Sequence, residues 1–133
     1  MVARVRDAGE VALAVRVAGR CRLPLSVRAG GHDRAGRALR AGGLVVDLTG
    51  LRRVDFDPGT GVVTVGGGAT ATDVLAALRP YDRVVAARVV RAVGLAGLTL
   101  AGGYGPLCGR HRLATDADAG VAPVDLRERS AEG

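Results

Sequence analysis

The segment LPLSVRAGGHDRAG, residues 23–36, joins a short apolar run to a glycine pair and a histidine. The run LPLSVR predicts a β-strand over residues 23–28 that leads straight into the glycines. Because glycine has no side chain, its backbone can lie against a ligand, and several N–H groups can then converge on the oxygens of a diphosphate. The competing interpretation is a plain turn that contains a histidine by chance.

The residues before this strand complete a βαβ unit. The sequence VARVR, residues 2–6, predicts a short strand. Asp7 and Glu10 have the spacing of a helix capping box, and apolar residues recur at helical intervals over 11–18, which predicts a helix from about 8 to 20. Loops at the carboxyl ends of strands are where open α/β sheets bind ligands. The glycine–histidine loop is therefore in a favourable place for a binding site.

The residues after this loop predict a small mixed or antiparallel sheet with flanking helices, and hence an α+β fold. Strands are expected at about 44–48 and 53–56, and a third in VVTVGGG, residues 62–68. The composition of DPGTG predicts the turn between the last two. Two further strands are expected, one in VVAARVV at 84–90 and one in VAPVDL at 121–126.

A second helix and a glycine-rich segment follow the sheet. Thr72 and Asp73 are expected to cap a helix that stops before Pro80. The segment VGLAGLTLAGGYG, residues 93–105, fits neither the helical nor the strand period, so we expect a loop that leads into or out of a short helical turn. Together with Gly30–Gly31 and residues 66–68, it makes three glycine clusters in one small chain.

Length and composition predict one domain with a core of small apolar residues. A chain of 133 residues is large enough to bury about two thirds of the surface of its unfolded form. Apolar residues make up 48% of it but aromatic residues only 2%. The core must therefore be built from Val, Leu and Ala.

The basic residues exclude one class of nucleotide-binding protein. All 19 of them are arginine, so the lysine of the phosphate-loop NTPase motif is missing. The formal net charge of +6 favours anionic partners. The arginines are scattered and aromatic residues for base stacking are nearly absent, so an arginine-rich module for nucleic acid or another polyanion is the weaker alternative.

Cysteine use and the N-terminus predict a cytoplasmic location without a membrane segment. Cys21 and Cys108 are too few for a disulfide framework, so we expect free, mostly buried thiols in a reducing compartment, with a single bridge between the two as the alternative. Charged residues among the first ten interrupt any signal-peptide pattern, and no apolar run reaches about 18 residues.

The histidine at position 32 has three chemical uses in proteins: base, metal ligand and nucleophile. No metal is expected, because Cys21, Cys108 and His111 are the only other soft ligands and no cluster of three lies near His32 in sequence. A nucleophilic imidazole beside a bound cofactor is the remaining specific hypothesis.

Three segments in this order resemble a known family. VRAGGHDRAG is followed by GGLVVDLTGLRRVDFDPGTGVVTVGGGAT and a helix, and then by VGLAGLTLAGGYG with the continuation RHRLATD. The combination resembles the flavin-binding half of the berberine-bridge-enzyme-like FAD-linked oxidases, within the vanillyl-alcohol-oxidase or PCMH-type FAD-binding superfamily. The resemblance implies a PCMH-type FAD-binding domain over 1–126, with residues 127–133 as a frayed tail.

The resemblance also implies which residues contact FAD. They are Arg28, Ala29, Gly30, Gly31, His32, Asp33, Gly36, Val93, Gly94, Gly97, Leu100, Gly102, Gly103, Tyr104, Gly105 and Asp116. In the family, the backbone amides of the R-x-G-G-H loop hold the FAD diphosphate, and the histidine bonds covalently to the 8α-methyl group of the flavin. Some relatives add a second bond through cysteine. Val90 stands at that position, so a single bond through His32 is expected.

The same resemblance implies an enzyme that takes a hydride from a small-molecule substrate onto the flavin and passes the electrons to dioxygen. Ala101 stands where the family has a glycine. Family members continue with a substrate domain that supplies the catalytic base, so no catalytic residue is assigned in this truncated chain. The isolated chain is expected to bind FAD weakly or not at all and to turn over little. A second polypeptide that completes the enzyme and an inactive remnant both stay open.

Overall fold

The computed structural model describes residues 1–85 and 92–101. The strands are β1 (Val2–Arg4), β2 (Leu25–Arg28), β3 (Leu44–Asp47), β4 (Val54–Asp57) and β5 (Val62–Val65). The helices are α1 (Ala8–Arg20), α2 (Ala71–Leu78) and α3 (Leu95–Leu100), with a 3-10 turn at Arg79–Tyr81. The small parallel and antiparallel sheets beside these helices confirm the expected α+β fold.

The first three strands form a parallel sheet in the order β1-β3-β2. The predicted βαβ unit is therefore interrupted, because β3 lies between β1 and β2 and pairs with both. All four residues of β3 are buried. A continuous apolar run such as Leu44–Val46 suits a central strand, whose two faces are both covered.

Helix α1 covers one face of this sheet. Its bounds match the prediction, and Ala14 and Ala18 pack into a core with Val5, Leu44 and Val46. Small side chains on the helix let its backbone approach the sheet closely, as expected for a core with few aromatic residues.

The N-terminus of α1 uses only half of the expected capping box. The Asp7 carboxylate accepts the amide of Glu10 at 2.8 Å. The Glu10 carboxylate does not accept a hydrogen bond from the backbone amide of Asp7. It accepts the backbone amide of Arg6 at 2.8 Å and its guanidinium at 2.6 Å.

The second unit is an antiparallel hairpin with α2 packed against it. Val54 pairs with Val65, and Asp57 pairs with Val62 across the predicted turn. The ring of Phe56 meets that of Tyr81 edge to face, with centroids 4.8 Å apart. Residues of α2 such as Val74 and Leu78 are fully buried.

The cap of α2 is Thr70, so the expected cap at Thr72 and Asp73 is wrong. The Asp73 carboxylate accepts the Thr70 amide at 2.7 Å, and the Thr70 hydroxyl accepts the Asp73 amide at 3.4 Å. This reciprocal box requires an acidic residue three positions after the cap. Thr70 has one there, whereas Leu75 stands three positions after Thr72.

The remaining expectations either differ from the structure or fall outside the described residues. Val84 and Val85 lie outside any strand, and the rest of 84–90 and all of 121–126 lie outside the described residues. Residues 95–100 form a short helix inside the segment expected to be mainly loop. Cys21 is a free thiol as expected, but it is exposed. Cys108 is outside the described part of the chain.

Within residues 1–85 and 92–101, none of the helices has both the length and the apolar character needed to cross a membrane.

Candidate functional site

The parallel strands end in register at one edge of the sheet. Arg4 of β1 and Arg28 of β2 are both paired with Asp47 of β3. The amide of Leu48 donates to the carbonyl of Arg28 at 2.8 Å, which extends the ladder one residue beyond the strands. The glycine–histidine loop leaves the sheet at this point, so its start is fixed by backbone hydrogen bonds.

The first and third glycine clusters meet at this edge. A Cβ atom on Gly94 would lie 2.6 Å from the amide nitrogen of Gly30 and 2.9 Å from the Cβ of Ala29. A Cβ atom on Gly30 would overlap the amide nitrogen of Gly94 and lie 2.8 Å from the carbonyl oxygen of Ala92. Neither position has room for a side chain, and the two backbones are in direct contact.

The second glycine cluster joins the same group of loops. A Cβ atom on Gly68 would overlap the carbonyl oxygen of Leu48, just beyond β3. The residues that follow Gly68 pair with the third cluster: the Leu95 amide donates to Ala69 at 2.9 Å, and Thr70 forms a β-bridge with Gly94. All three glycine segments therefore lie side by side next to the carboxyl edge of the parallel sheet.

The glycine–histidine loop has backbone donors to offer a ligand. Among residues 1–85 and 92–101, no acceptor receives the amides of Gly30, Gly31 or His32. Gly31 has a φ of +73°, a conformation that residues with side chains rarely adopt. Successive free amides without side chains over them suit a phosphate group. The residues present therefore fit a diphosphate.

His32 is exposed and lies between this run of amides and a tight turn. In that turn the Asp33 carboxylate accepts the amide and the guanidinium of Arg37, at 2.9 and 3.0 Å. These hydrogen bonds lower the pKa of Asp33 to about 2. The Ser26 hydroxyl donates to the Ala38 carbonyl at 3.2 Å and ties the end of the turn to β2. Asp33 is committed to shaping the loop.

Asp47 supplies a buried negative charge below the loop. Its side chain is 2% exposed, and its Oδ1 accepts the Thr49 amide at 3.0 Å. Burial raises the pKa of Asp47, but the hydrogen bonds from Thr49 and the guanidinium groups of Arg28 and Arg4 outweigh it, so the pKa lies below its usual value. The carboxylate is therefore ionised at neutral pH.

The structure brings together part of the predicted set and leaves part outside. Of the predicted residues, Ala29 and Gly30 contact Gly94. Arg28 and Gly31 adjoin this contact in the chain and Val93 precedes Gly94, with His32, Asp33 and Gly36 farther along the first loop. Gly97 and Leu100 lie on α3, and Leu100 is 72% exposed. Outside the described residues lie Gly102, Gly103, Tyr104, Gly105 and Asp116.

Sequence reasoning missed two contributors, Asp47 and the segment 69–71. The available signal for Asp47 was a charged residue at the carboxyl end of the apolar run LVV. Segment 69–71 carries no such signal, because its contribution is made by backbone groups.

Within the described ranges, no three His, Cys, Asp or Glu side chains come together in a way that could hold a metal ion.

Comparison with known proteins identifies the family. The sequence model of the protein family described as the FAD binding domain matches residues 1–125 of this chain. The FAD-linked oxidoreductase hasG of Aspergillus fumigatus is 36% identical over 115 residues, which is 86% of this chain and 25% of that protein.

Two solved structures are similar over the same share of the chain. The 6-hydroxy-D-nicotine oxidase of Arthrobacter nicotinovorans has a TM-score of 0.84 at 35% identity, over 86% of this chain and 25% of that one. The glucooligosaccharide oxidase of Acremonium strictum has a TM-score of 0.80 at 30% identity, again over 86% and 25%. That enzyme is described with a 6-S-cysteinyl, 8α-N1-histidyl FAD.

The chain spans about a quarter of the length of these relatives. The matched region is their flavin-binding lobe, and the expected resemblance to the berberine-bridge-enzyme-like oxidases is confirmed. This chain belongs to the FAD-binding domain family of the FAD-linked oxidoreductases, and its cofactor is FAD.

Proposed function

We propose that this chain is the lobe of an FAD-linked oxidase that holds the FAD diphosphate on the loop 28–32 and bonds the flavin through His32. The observation that carries the proposal is the backbone contact between Gly30 and Gly94. It holds the loop at the sheet edge, with three successive amides that have no acceptor among the described residues. Within this proposal the domain extends over residues 1–126, followed by a tail at 127–133.

The diphosphate would be held by backbone groups with help from one side chain. The amides of Gly30, Gly31 and His32 supply N–H donors that can converge on phosphate oxygens. The Arg28 guanidinium adds positive charge beside them, since its Nε lies 3.4 Å from the place where a Cβ of Gly31 would be. The other predicted contacts, Gly102 to Gly105 and Asp116, stay predictions.

The bond through His32 is supported by position and by a relative. His32 is exposed and directly follows the free amides of the loop. The glucooligosaccharide oxidase carries a histidyl bond at the 8α position of its FAD. Such a bond would join an imidazole nitrogen of His32 to the 8α carbon of the flavin. Overall it would release two protons and two electrons, one proton from the imidazole and one from the methyl group, and dioxygen would take them up as hydrogen peroxide.

Bound FAD would supply a two-electron acceptor for oxidation of a small-molecule alcohol, amine or sugar, and a tether through nitrogen makes it a stronger oxidant. The residues described so far bind and orient the flavin. None of them is assigned as the base for substrate oxidation. The substrate-binding side of the full enzyme would come from outside the matched lobe.

A titration of the purified chain with FAD tests the proposal. The sequence alone predicts weak FAD binding or none. Because contacts within this chain hold the loop 28–32 at the sheet edge, we now expect weak but saturable binding of one FAD per chain, followed through the change in flavin fluorescence. Gly30→Val should abolish it, because the added side chain would force the loop away from Gly94, while Gly19→Ala on the exposed surface of α1 should not change it. Absence of FAD binding, together with salt-sensitive binding of a DNA duplex, would contradict the proposal and favour a polyanion-binding module.

A further inference from the structure

Asp47 is a buried carboxylate for which the proposed function has so far given no role. Among residues 1–85 and 92–101 it is the one charged residue that is buried, at 2% exposure. Burying a carboxylate costs free energy unless charges and hydrogen bonds compensate it. The charged and hydrogen-bonding groups around Asp47 therefore indicate its role in the fold.

The partners of Asp47 are two arginines and one backbone amide. Its Oδ2 lies 3.8 Å from Arg28 and 3.7 Å from Arg4, while its Oδ1 accepts the Thr49 amide at 3.0 Å. The arginines flank it in register from the two neighbouring strands. Without the negative charge between them, two like charges would face each other at the edge of the sheet.

Asp47 attracts Arg28 without occupying its donors. At 3.8 Å the contact is an ion pair, not a hydrogen bond. Among the described residues, no acceptor takes a hydrogen bond from the Arg28 side chain, which is 42% exposed. Its N–H groups are therefore still available to an anion on the loop.

Asp47 also lies between two of the glycine segments. On one side, Arg28 begins the loop and its Nε packs 3.4 Å from the Cβ position of Gly31. On the other side, the Thr49 amide bound by Asp47 belongs to the turn whose Leu48 carbonyl contacts Gly68. The Asp47 carboxylate thus interacts with residues that contact both glycine segments: Arg28 beside Gly31, and Thr49 next to the Leu48 carbonyl at Gly68.

We propose that Asp47 is a positioning residue for FAD binding: its Oδ2 offsets the repulsion between Arg4 and Arg28, both of which it attracts, and so keeps the Arg28 guanidinium beside Gly31, where its N–H groups are available to the diphosphate. The inference rests on the proposed function. Its distinctive consequence is that the effect of losing Asp47 passes through Arg28 and is increased by Arg4.

The experiment measures the dissociation constant of FAD for the full chain and for variants at the three positions. Asp47→Asn keeps an acceptor for the Thr49 amide but removes the charge, and it should weaken FAD binding about tenfold. Asp47→Asn combined with Arg28→Gln should bind no more weakly than Arg28→Gln alone. Asp47→Asn combined with Arg4→Gln should recover part of the lost affinity, because the repulsion of Arg28 is gone.

A matched control removes a carboxylate from another ion pair. Asp55 is exposed, pairs with Arg53 at 2.6 Å and lies on the hairpin strand β4. Asp55→Asn should bind FAD as the unchanged chain does. Thermal unfolding without FAD shows whether each variant is folded.

The outcomes separate this inference from the proposed function. Absence of FAD binding by the unchanged chain overturns both. If the chain binds FAD and Asp47→Asn binds equally well, or if its effect adds fully to that of Arg28→Gln, the positioning role alone is overturned. If Asp47→Asn does not fold, the single variants of the two arginines test the proposal. Arg28→Gln should weaken FAD binding about tenfold and Arg4→Gln less than twofold. Equal effects of the two variants on FAD binding would contradict the proposal.

Discussion

The backbones of Gly30 and Gly94 touch, so that a Cβ atom on Gly94 would lie 2.6 Å from the amide nitrogen of Gly30. Gly30 follows strand β2 and Gly94 precedes helix α3, so the contact exists only in the folded chain. The amides of Gly30, Gly31 and His32, which have no acceptor among the described residues, lie at or directly after this contact in the chain. The candidate site and the fold are therefore expected to fail together when the contact is lost.

Gly94→Ala should lower the free energy of unfolding by about 1–3 kcal/mol, the usual cost of forcing extra atoms into a packed region. The added methyl group would meet the amide of Gly30 and the Cβ of Ala29. Chemical denaturation measures the loss, and an FAD titration should show weaker binding at temperatures where the variant is still folded.

Gly19→Ala is the control for this substitution. Nothing lies within 4 Å of a Cβ at Gly19, and the residue is in α1, so the change should raise stability by up to about 1 kcal/mol. Equal stability changes for the two variants would contradict the backbone contact.

Thr70→Ala should destabilise the chain by about 1 kcal/mol, because it removes the side-chain cap of α2. The hydroxyl of Thr70 also donates to the Asp73 carboxylate at 2.7 Å. Since Thr70 forms the bridge to Gly94, hydrogen exchange at residues 69–71 should quicken along with that of α2. A variant as stable as the unchanged chain would mean that the capping box does not form.

The stability that Asp73 contributes should depend on pH at the acidic end. Hydrogen bonds from Arg52, the largest cause, and from Thr70 lower the pKa of Asp73 from 3.8 to about 2. A carboxyl group with a lower pKa in the folded state stabilises the fold above its unfolded pKa and loses that effect as pH falls through the folded value. The contribution should be complete above about pH 5 and disappear between pH 4 and 2.

Denaturation midpoints of the unchanged chain and of Asp73→Asn, compared from pH 7 to pH 2, measure this contribution. The asparagine variant should be less stable at pH 7, and the difference should shrink as the solution is acidified below pH 4. A difference that stays constant over this range would show that the charge of Asp73 plays no part.

Local signals were sufficient for much of the fold. The bounds of α1 follow from its apolar spacing and from Asp7, and the hairpin turn follows from DPGTG. The sequence also contains the signal for a cap at Thr70, because Asp73 stands three residues later, although Thr72 and Asp73 were expected to cap the helix. Each of these features depends on residues that are close to one another in the sequence.

The order β1-β3-β2 and the exact position of helix α3 could not be predicted in the same way. Which strand lies in the centre is decided by pairing between distant segments, and only the unbroken apolar run of β3 hinted at it. Helix α3 has six residues and is fixed by the bond from the Leu95 amide to Ala69. For the site, sequence alone identified the three glycine clusters, but not the carboxylate of Asp47 that lies between two of them.

The intact mass of the denatured chain, after incubation with FAD in air, tests the central claim most directly. We predict that the chain gains the mass of one FAD, that flavin fluorescence stays with the unfolded polypeptide, and that His32→Ala gains nothing. A chain that never gains this mass, or a His32→Ala variant that gains it as readily, would contradict flavin attachment at His32.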